Sequence, residues 1–389
     1  MKQFYTLLIL AVYFFTPFES VALMENFSIV RLIVILLVVF SLFNIKNLNL
    51  RLKSKFIPLI LIYFIFCLLS FVWSIDQEST FSAFIGRIIP TFILTILLYW
   101  NIDSIKMINK ISWSYILGTF IVCIYAYINF RILLDLGMVD RNTALEQDQN
   151  ELSFLINMGI VFALYLLGNI DKTKIKILLW VFITIFAFTI LSTGSRTGFV
   201  VLLLILTIWL AGRNVKNIIP YLVILFVSVL ISVFFIPAEI TERLLETSSQ
   251  IEDRNFTGRG HIWERGLTAW EERGAFLLGT GNNTWNALYS SKYGSARSSH
   301  NSYIQTLVEL GVVGLLLFLS ILIYLLKKAW YLCRKFDTVY LLFILPLLVT
   351  MLALGTLGRR WMFLFGILIV KFAQYQVFIK KSNHKPTKS

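Results

Sequence analysis

Apolar residues occur along most of this chain in long runs that are separated by short polar segments. The runs are roughly 17 to 24 residues long, which is the length that a helix needs to cross about 30 Å of hydrocarbon. Together they predict an all-α fold, a polytopic bundle of about twelve membrane-spanning helices. The predicted spans are residues 4–21, 27–43, 56–73, 81–99, 111–130, 152–167, 177–192, 197–210, 218–236, 303–326, 339–356 and 361–378.

The polar segments divide the chain into four parts. An N-terminal bundle of about nine spans covers 1–236, a large polar loop covers 237–302, the C-terminal helices cover 303–378 and a basic tail covers 379–389. Within the loop, the apolar residues of 260–272 fall on one helical face, which predicts an amphipathic helix. Two interpretations stay open: the helix lies in the membrane interface with its tryptophans at headgroup depth, or it is a structural surface helix.

Composition agrees with the membrane interpretation. Hydrophobic residues make up 58% of the chain and charged residues 14%, and the mean hydropathy is +0.79, which excludes an ordinary soluble globular protein. A signal peptide is the alternative for the first apolar run, but no small-x-small cleavage site follows it, which favours an uncleaved first helix.

Charge predicts the orientation. The net charge of +14 comes largely from one alternating set of loops and from the C-terminal tail, which favours membrane topology over nucleic-acid binding. The positive-inside rule places those loops and both termini in the cytoplasm. The large loop, the segment 131–151 and the turn at 194–196 are then predicted to lie at the outer face.

Two arginines stand out at that face. Arg196 lies in a tight turn between two apolar runs, where it either snorkels to lipid headgroups or binds a diphosphate with its planar guanidinium. Arg259 lies at the predicted start of the amphipathic helix, where free backbone N–H groups favour a phosphate.

The stretch "SSHNSYIQTLVELGVVG" places His300 at the start of a long apolar run. Ser298 or Ser299 is expected to cap the helix that follows, and the positive end of its dipole favours a neutral imidazole. His300 is then either a general base or an ordinary interfacial polar residue. Gly311 and Gly314 predict close helix packing. Glu309 lies deeper in the same run and is either a functional carboxylate or the partner of an arginine.

In combination, these motifs resemble the O-antigen ligase family of bacterial envelope glycosyltransferases, which also includes O-antigen and exopolysaccharide polymerases. The family's ligase motif, His-Asn followed by nine residues and Gly-x-x-Gly, is similar to the stretch from His300 and Asn301 to Gly314. The family's Ser-Arg-x-Gly turn resembles residues 195–198, and its Gly-Arg motif resembles 258–259. Asn150, before the sixth span, resembles the family's asparagine at that place.

The resemblance implies a GT-C-like, inverting and metal-independent membrane glycosyltransferase without a cofactor. Its donor would be a glycan on undecaprenyl diphosphate, and its acceptor a sugar hydroxyl of lipid A–core or of a lipid-linked repeat unit. His300 would activate the acceptor hydroxyl, and Arg196 and Arg259 would hold the diphosphate as it leaves.

Further substrate-binding residues are expected at the outer face: Arg87, Asn150, Arg243, Arg297 and Asn301. For Arg87 the alternative is snorkelling, and for Arg243 and Arg297 it is a solvated surface position.

Three other interpretations of function remain. A polymerase of the same family shares the chemistry of a ligase and differs in its acceptor. A transporter or flippase of lipid-linked oligosaccharides belongs to another class. Such proteins show repeated halves and polar or broken helices near the bilayer midplane. This chain instead has one dominant outer loop, and its unusual polar residues gather near one face. A non-catalytic membrane scaffold would tolerate replacement of His300.

Overall fold

The computed structural model describes residues 2–18, 22–24, 27–43, 54–135, 148–213, 259–355 and 359–382. Within these ranges the protein is helical except for one antiparallel pair of short strands. The predicted all-α class is therefore confirmed for the described part of the chain. The predicted span 218–236 and the first part of the large loop, residues 237–258 with Arg243, lie outside the described residues.

The described residues up to 213 form nine α-helices, and a 3₁₀ segment follows α1 and α3. The strands are β1 (Ala22–Met24) and β2 (Phe27–Ser28), and the helices are α1 (Lys2–Phe15), α2 (Ile29–Phe43), α3 (Phe56–Leu69), α4 (Gln77–Ala83), α5 (Ile89–Asn101), α6 (Ile105–Asp135), α7 (Gln149–Leu167), α8 (Thr173–Ser192) and α9 (Arg196–Ala211). A π-helical segment, Phe84–Ile88, joins α4 to α5.

Five more α-helices are described in the second half. They are α10 (Gly260–Glu272), α11 (Trp285–Tyr293), α12 (Ser302–Lys335), α13 (Leu345–Thr350) and α14 (Arg360–Ser382), and a 3₁₀ segment, Thr338–Phe343, precedes α13.

Six described helical segments are long and apolar enough to cross a membrane, which makes this a multi-pass membrane protein. They are Phe56–Trp73, Gln77–Asn101, Ile105–Ile132, Gln149–Leu167, Thr173–Ser192 and Ser302–Lys335. The total of about twelve spans stays a prediction. Of the segment Gln149–Leu167, 89% is buried inside the protein, so α7 is the central helix, and α6, α8 and α9 pack around it.

The predicted continuous span at 339–356 is not one helix in the structure. A 3₁₀ segment ends at Phe343, and the short helix α13 begins at Leu345 with Pro346 in its first turn. Proline has no backbone N–H and its ring excludes the preceding helical turn, so a single helix through residue 346 is disfavoured.

The helix α12 is broken at Gly311, where we had expected only close packing. Gly311 has φ 66° and ψ −170°, a conformation that is essentially restricted to glycine. At the break, the N–H groups of Val312 and Val313 donate to the carbonyls of Phe276 and Leu277, at 2.9 and 3.2 Å. Residues of the preceding loop therefore complete the hydrogen bonding that the helix loses.

The amphipathic helix is present as α10, and protein packs on its apolar face, which favours the second interpretation, a structural helix. Ala269 and Trp270 are buried against α11 and against Val308 of α12. Gly266 faces the Trp285 ring so closely that a side chain at this position would collide with it. This packing fixes α10 and α11 on the first turns of α12.

Candidate functional site

The starts of α7 and α9 are joined by side-chain hydrogen bonds. Ser195 caps α9 by accepting from the N–H of Gly198 at 3.0 Å, and its hydroxyl donates to the Asn150 side chain at 2.8 Å. Asp148 caps α7 by accepting from the N–H of Asn150 at 2.8 Å. The Ser-Arg turn and Asn150, two features of the family resemblance, therefore lie in direct contact. Arg196 is the first residue of α9.

The start of α14 packs on the same place. Glu151, in the first turn of α7, is buried and forms an ion pair with Arg359 at 3.2 Å. The indole N–H of Trp361 donates to the same carboxylate oxygen at 3.2 Å. Because both partners surround a buried carboxylate, the last helix is fixed against the first turn of α7.

The starts of α10 and α12 meet beside these helices. Arg259, the residue before α10, donates through Nη1 to the carbonyl of Ala353 at 3.0 Å. The indole N–H of Trp263 donates to the carbonyl of Ser299 at 2.7 Å. The cap of α12 is Asn301, which accepts from the N–H groups of residues 303 and 304 at 3.0 and 3.1 Å. The expected cap, Ser298 or Ser299, was therefore wrong by two or three residues.

His300 lies between Ser299 and this cap and is half-buried. Its backbone has φ +46°, the left-handed region that residues other than glycine rarely adopt. Burial is the main cause that lowers the pKa of His300 below 6.5; the charge of Arg259 lowers it further, and the carboxylate of Asp148 opposes them. The structure thus brings His300, Arg259 and Asp148 into one electrostatic environment, which favours the neutral imidazole near neutral pH.

Arg259 experiences the same environment. Burial lowers the pKa of its guanidinium and the carboxylate of Asp148 raises it, and a guanidinium remains protonated at any pH at which proteins work. Arg259 is therefore a fixed positive charge next to a neutral imidazole. We call Asp148, Asn150, Arg196, Arg259 and His300 the His300 site.

Helix dipoles add to the positive potential of the His300 site. The helices α7, α9, α10, α12 and α14 all begin here. Each helix start directs the positive end of its dipole to this place, which favours a bound anion. The arrangement can hold an anionic group and, beside it, remove a proton from a neutral one.

The other predicted site residues have separate surroundings. Arg87 lies in the π-helical segment and donates through Nη2 to the Asn283 side chain at 2.8 Å. Arg297 is exposed, and its carbonyl accepts from the indole of Trp285 at 2.7 Å. Asn301 has a structural role as the cap of α12. These contacts do not test whether the three residues bind substrate, so their binding roles stay predictions.

Sequence reasoning missed three residues of this region, Asp148, Glu151 and Arg359. An aspartate followed three residues later by a glutamate, immediately before an apolar run, is the signature of a helix start, and it was present at 148–151. The pairing of Glu151 with Arg359 joins positions 208 residues apart, and no local signal predicts such a contact. Among the described residues, no group of three or more His, Cys, Asp or Glu is placed to share a metal ion, and metal independence stays a prediction.

Comparison with known families bears on this site directly. Residues 179–319 match the family model described as O-antigen ligase. The resemblance to the O-antigen ligase family is confirmed. No curated protein matches the chain.

The O-antigen ligase match runs from α8 through α9 and α10 to the middle of α12. It therefore contains Arg196, Arg259, His300 and both glycines of the Gly-x-x-Gly motif. Asn150 and Arg87 lie outside it. The O-antigen ligase family implies glycosyl transfer of the ligase or polymerase type, with a lipid-linked glycan and an acceptor as the general partners.

Proposed function

We propose that this protein is an inverting, metal-independent glycosyltransferase of the ligase type at the outer face of the bacterial inner membrane. It transfers a glycan from undecaprenyl diphosphate to an acceptor sugar hydroxyl. The observation that carries the proposal is that His300 is half-buried and lies within the electrostatic influence of the fixed charge of Arg259. Both burial and this charge lower the pKa of His300.

In this proposal His300 is the general base. A neutral imidazole accepts the proton of the acceptor hydroxyl as the oxygen attacks the anomeric carbon of the donor sugar. The new carbon–oxygen bond forms as the bond from the anomeric carbon to the diphosphate oxygen breaks. Attack opposite to the leaving group inverts the configuration at that carbon.

The leaving diphosphate takes the electron pair, so its negative charge grows during the reaction. Arg259 and Arg196 are the proposed groups that hold it, and the convergent helix starts support them. Arg259 is held by its bond to Ala353, so its guanidinium does not have to reorganise as the charge develops. Arg87 and Arg297, together with Asn150 and Asn301, are proposed to contact donor or acceptor at the rim, as is Arg243, outside the described residues.

The first test is a surface-polysaccharide gel of cells that carry His300→Ala. We expect the ladder of a deletion strain, because removal of a general base costs about 10²- to 10⁴-fold in rate. The matched control is His261→Ala, because the side chain of His261 is 71% exposed and lies on α10. Immunoblots of membranes establish that each variant is present at the wild-type level.

The deletion strain separates the alternative functions. Polymer that accumulates on the carrier lipid while the core stays bare supports ligation, and core capped with single repeat units identifies a polymerase instead. A normal ladder from His300→Ala at wild-type protein level would overturn the general-base proposal.

A further inference from the structure

Two residues other than glycine have a positive φ in the described part of the chain, Asn283 at 66° and His300 at 46°. Such backbone conformations cost free energy and persist only where the surroundings hold them, and they concentrate at functional sites. These two residues are 17 positions apart in the sequence, but a continuous set of hydrogen bonds connects Asn283 with the residues on either side of His300.

The centre of this set is Glu309, which is fully buried on α12. One carboxyl oxygen accepts from the N–H of Asn283 at 2.7 Å. The other accepts from the N–H of Trp285 at 3.2 Å and from the Gln305 side chain at 2.9 Å. With three donors, the Glu309 carboxyl group is well satisfied although it is removed from water.

Glu309 also serves as the cap of α11. The residue before that helix, Thr284, makes no capping bond with its side chain. The Glu309 carboxyl group instead accepts from the N–H of Trp285, the first residue of the helix. The carbonyl of Glu309 accepts from the N–H of Gly281 at 2.8 Å. The loop 279–285 is therefore bound to Glu309 through both its side chain and its backbone.

Gln305 extends the set to the turn that carries His300. Its side-chain oxygen accepts from the Ser299 hydroxyl at 3.3 Å. That hydroxyl in turn accepts from the N–H of Asn301 at 3.4 Å. The Ser299 hydroxyl thus joins the residues on either side of His300, since it also lies within 3.4 Å of the Asn301 carbonyl. Gln305 contacts this hydroxyl, and Glu309 accepts a hydrogen bond from Gln305.

Other contacts hold the same turn from its remaining sides. The indole of Trp263 binds the Ser299 carbonyl, and the N–H and hydroxyl of Ser302 bind the carbonyls of Met351 and Leu354 at 2.8 and 2.6 Å. These contacts fix the backbone of the turn. The contribution of Gln305 differs because it contacts the Ser299 hydroxyl, which links Ser299 with Asn301 across His300.

We propose that Glu309 and Gln305 are positioning residues for His300: they hold the 299–301 turn in the left-handed conformation that directs the imidazole towards Arg259 and Asp148. This inference rests on the proposed role of His300 as base. It also gives a role to the buried carboxyl group that this chain carries on α12 between His300 and Gly311.

The test uses a full-length protein in which His300 is the single imidazole, obtained with His261→Gln and His384→Gln and an affinity tag without histidine. Diethyl pyrocarbonate reacts with the neutral imidazole, so its rate of reaction as a function of pH reports both the exposure and the titration of His300. The charged groups that act on this titration are Arg259 and Asp148. The measurement needs no knowledge of donor or acceptor.

We expect Gln305→Leu and Ser299→Ala each to raise the rate of reaction of His300 roughly fivefold, the factor that corresponds to one hydrogen bond. The titration midpoint should move up towards 6.5 as the imidazole leaves its half-buried position. The double variant should show the same change as either single one, because both remove the same link. The matched control is Thr306→Val, since Thr306 is buried on the same helix and bonds only within it in the observed geometry, to the Ser302 carbonyl at 2.6 Å.

Glu309→Gln tests the deeper position. It places an NH₂ group where at least one backbone N–H needs an acceptor, and we expect it to change His300 in the same direction as Gln305→Leu. If a variant at 305 or 309 does not fold, Ser299→Ala carries the test alone. The positioning inference is overturned if Ser299→Ala and any folded variant at 305 leave the rate and midpoint of His300 where Thr306→Val leaves them.

The same variants separate this inference from the proposed function. If they change the reaction of His300 and also reduce the polysaccharide ladder, both stand. If they change His300 while His300→Ala still makes a normal ladder, the proposed function fails and the positioning stands. If they leave His300 unchanged while His300→Ala loses the ladder, only the positioning fails.

Discussion

His300 has its backbone and its side chain constrained by different groups. The left-handed φ is held by the residues around the turn, whereas the charge state of the imidazole is set by burial, Arg259 and Asp148. At the scale of single residues, a change in the turn therefore acts on His300 through its burial, whereas a change at Asp148 acts through charge.

The pH dependence of transfer follows from the charge state. The proposed mechanism needs the base form of His300, and the pKa of His300 is lowered from 6.5. Activity should therefore stay full at neutral pH and fall on acidification through a midpoint below 6.5. Membrane vesicles that contain their own lipid-linked glycan can be assayed at graded pH. A midpoint above 6.5 would contradict the assignment of His300 as the titrating base.

Asp148→Asn provides a directional check on that midpoint. The carboxylate of Asp148 raises the pKa of His300, so its removal should move the acid limb to lower pH. Asparagine is as good a helix cap as aspartate, so α7 should keep its start and the protein its stability. Movement to higher pH, or none in a folded variant, would show that Asp148 does not act on the active base.

At the scale of elements, the break of α12 is the feature with the clearest consequence. Glycine is required at 311 because the backbone conformation there is closed to other residues and because a side chain would collide with the Leu277 carbonyl. Gly314 has another role, since a side chain there would meet Leu310 and Phe66. The two glycines of one motif therefore serve a backbone break and a packing contact respectively.

Gly311→Ala should destabilise the protein by about 1–3 kcal/mol from backbone strain, with a further cost from the collision with the loop. We expect a lower thermal unfolding midpoint in detergent and a smaller amount of protein in membranes. Gly86→Ala is the control, because nothing lies within 4 Å of the position of its added carbon. If the two variants were equally stable, the conclusion that position 311 requires glycine would be wrong.

At the scale of the whole molecule, the orientation in the membrane is the prediction that is easiest to test. In a Cys333→Ser background the remaining cysteines, Cys67 and Cys123, are buried. Single cysteines placed by Arg273→Cys and Asp171→Cys then report on exposed positions at the start of the α10–α11 loop and between α7 and α8. A maleimide that cannot cross membranes should label the first in intact spheroplasts and the second only after lysis. The reverse pattern would place the His300 site in the cytoplasm.

Much of the helical frame could be predicted from the sequence because apolar run length is a local property. The predicted segments 56–73 and 177–192 lie within described helices that are long enough to span. Run length does not register single-residue interruptions, so the breaks at Pro346 and Gly311 were missed although both residues were visible. For the site, the sequence motifs predict that His300 and Arg259 act together, and the structure has them in one electrostatic environment. Their catalytic roles stay predictions. The ion pair of Glu151 with Arg359 depends on tertiary packing and has no sequence signal.

The pairing between the loop and the broken helix also determines how this part of the protein opens. The amides of Thr280 and Gly281 bind carbonyls of α12, while the amides of Val312 and Val313 bind carbonyls of the loop. None of the four can exchange its hydrogen for deuterium unless the two segments separate. They should therefore exchange together, at one rate, as a single unit that is distinct from the helical turns on either side.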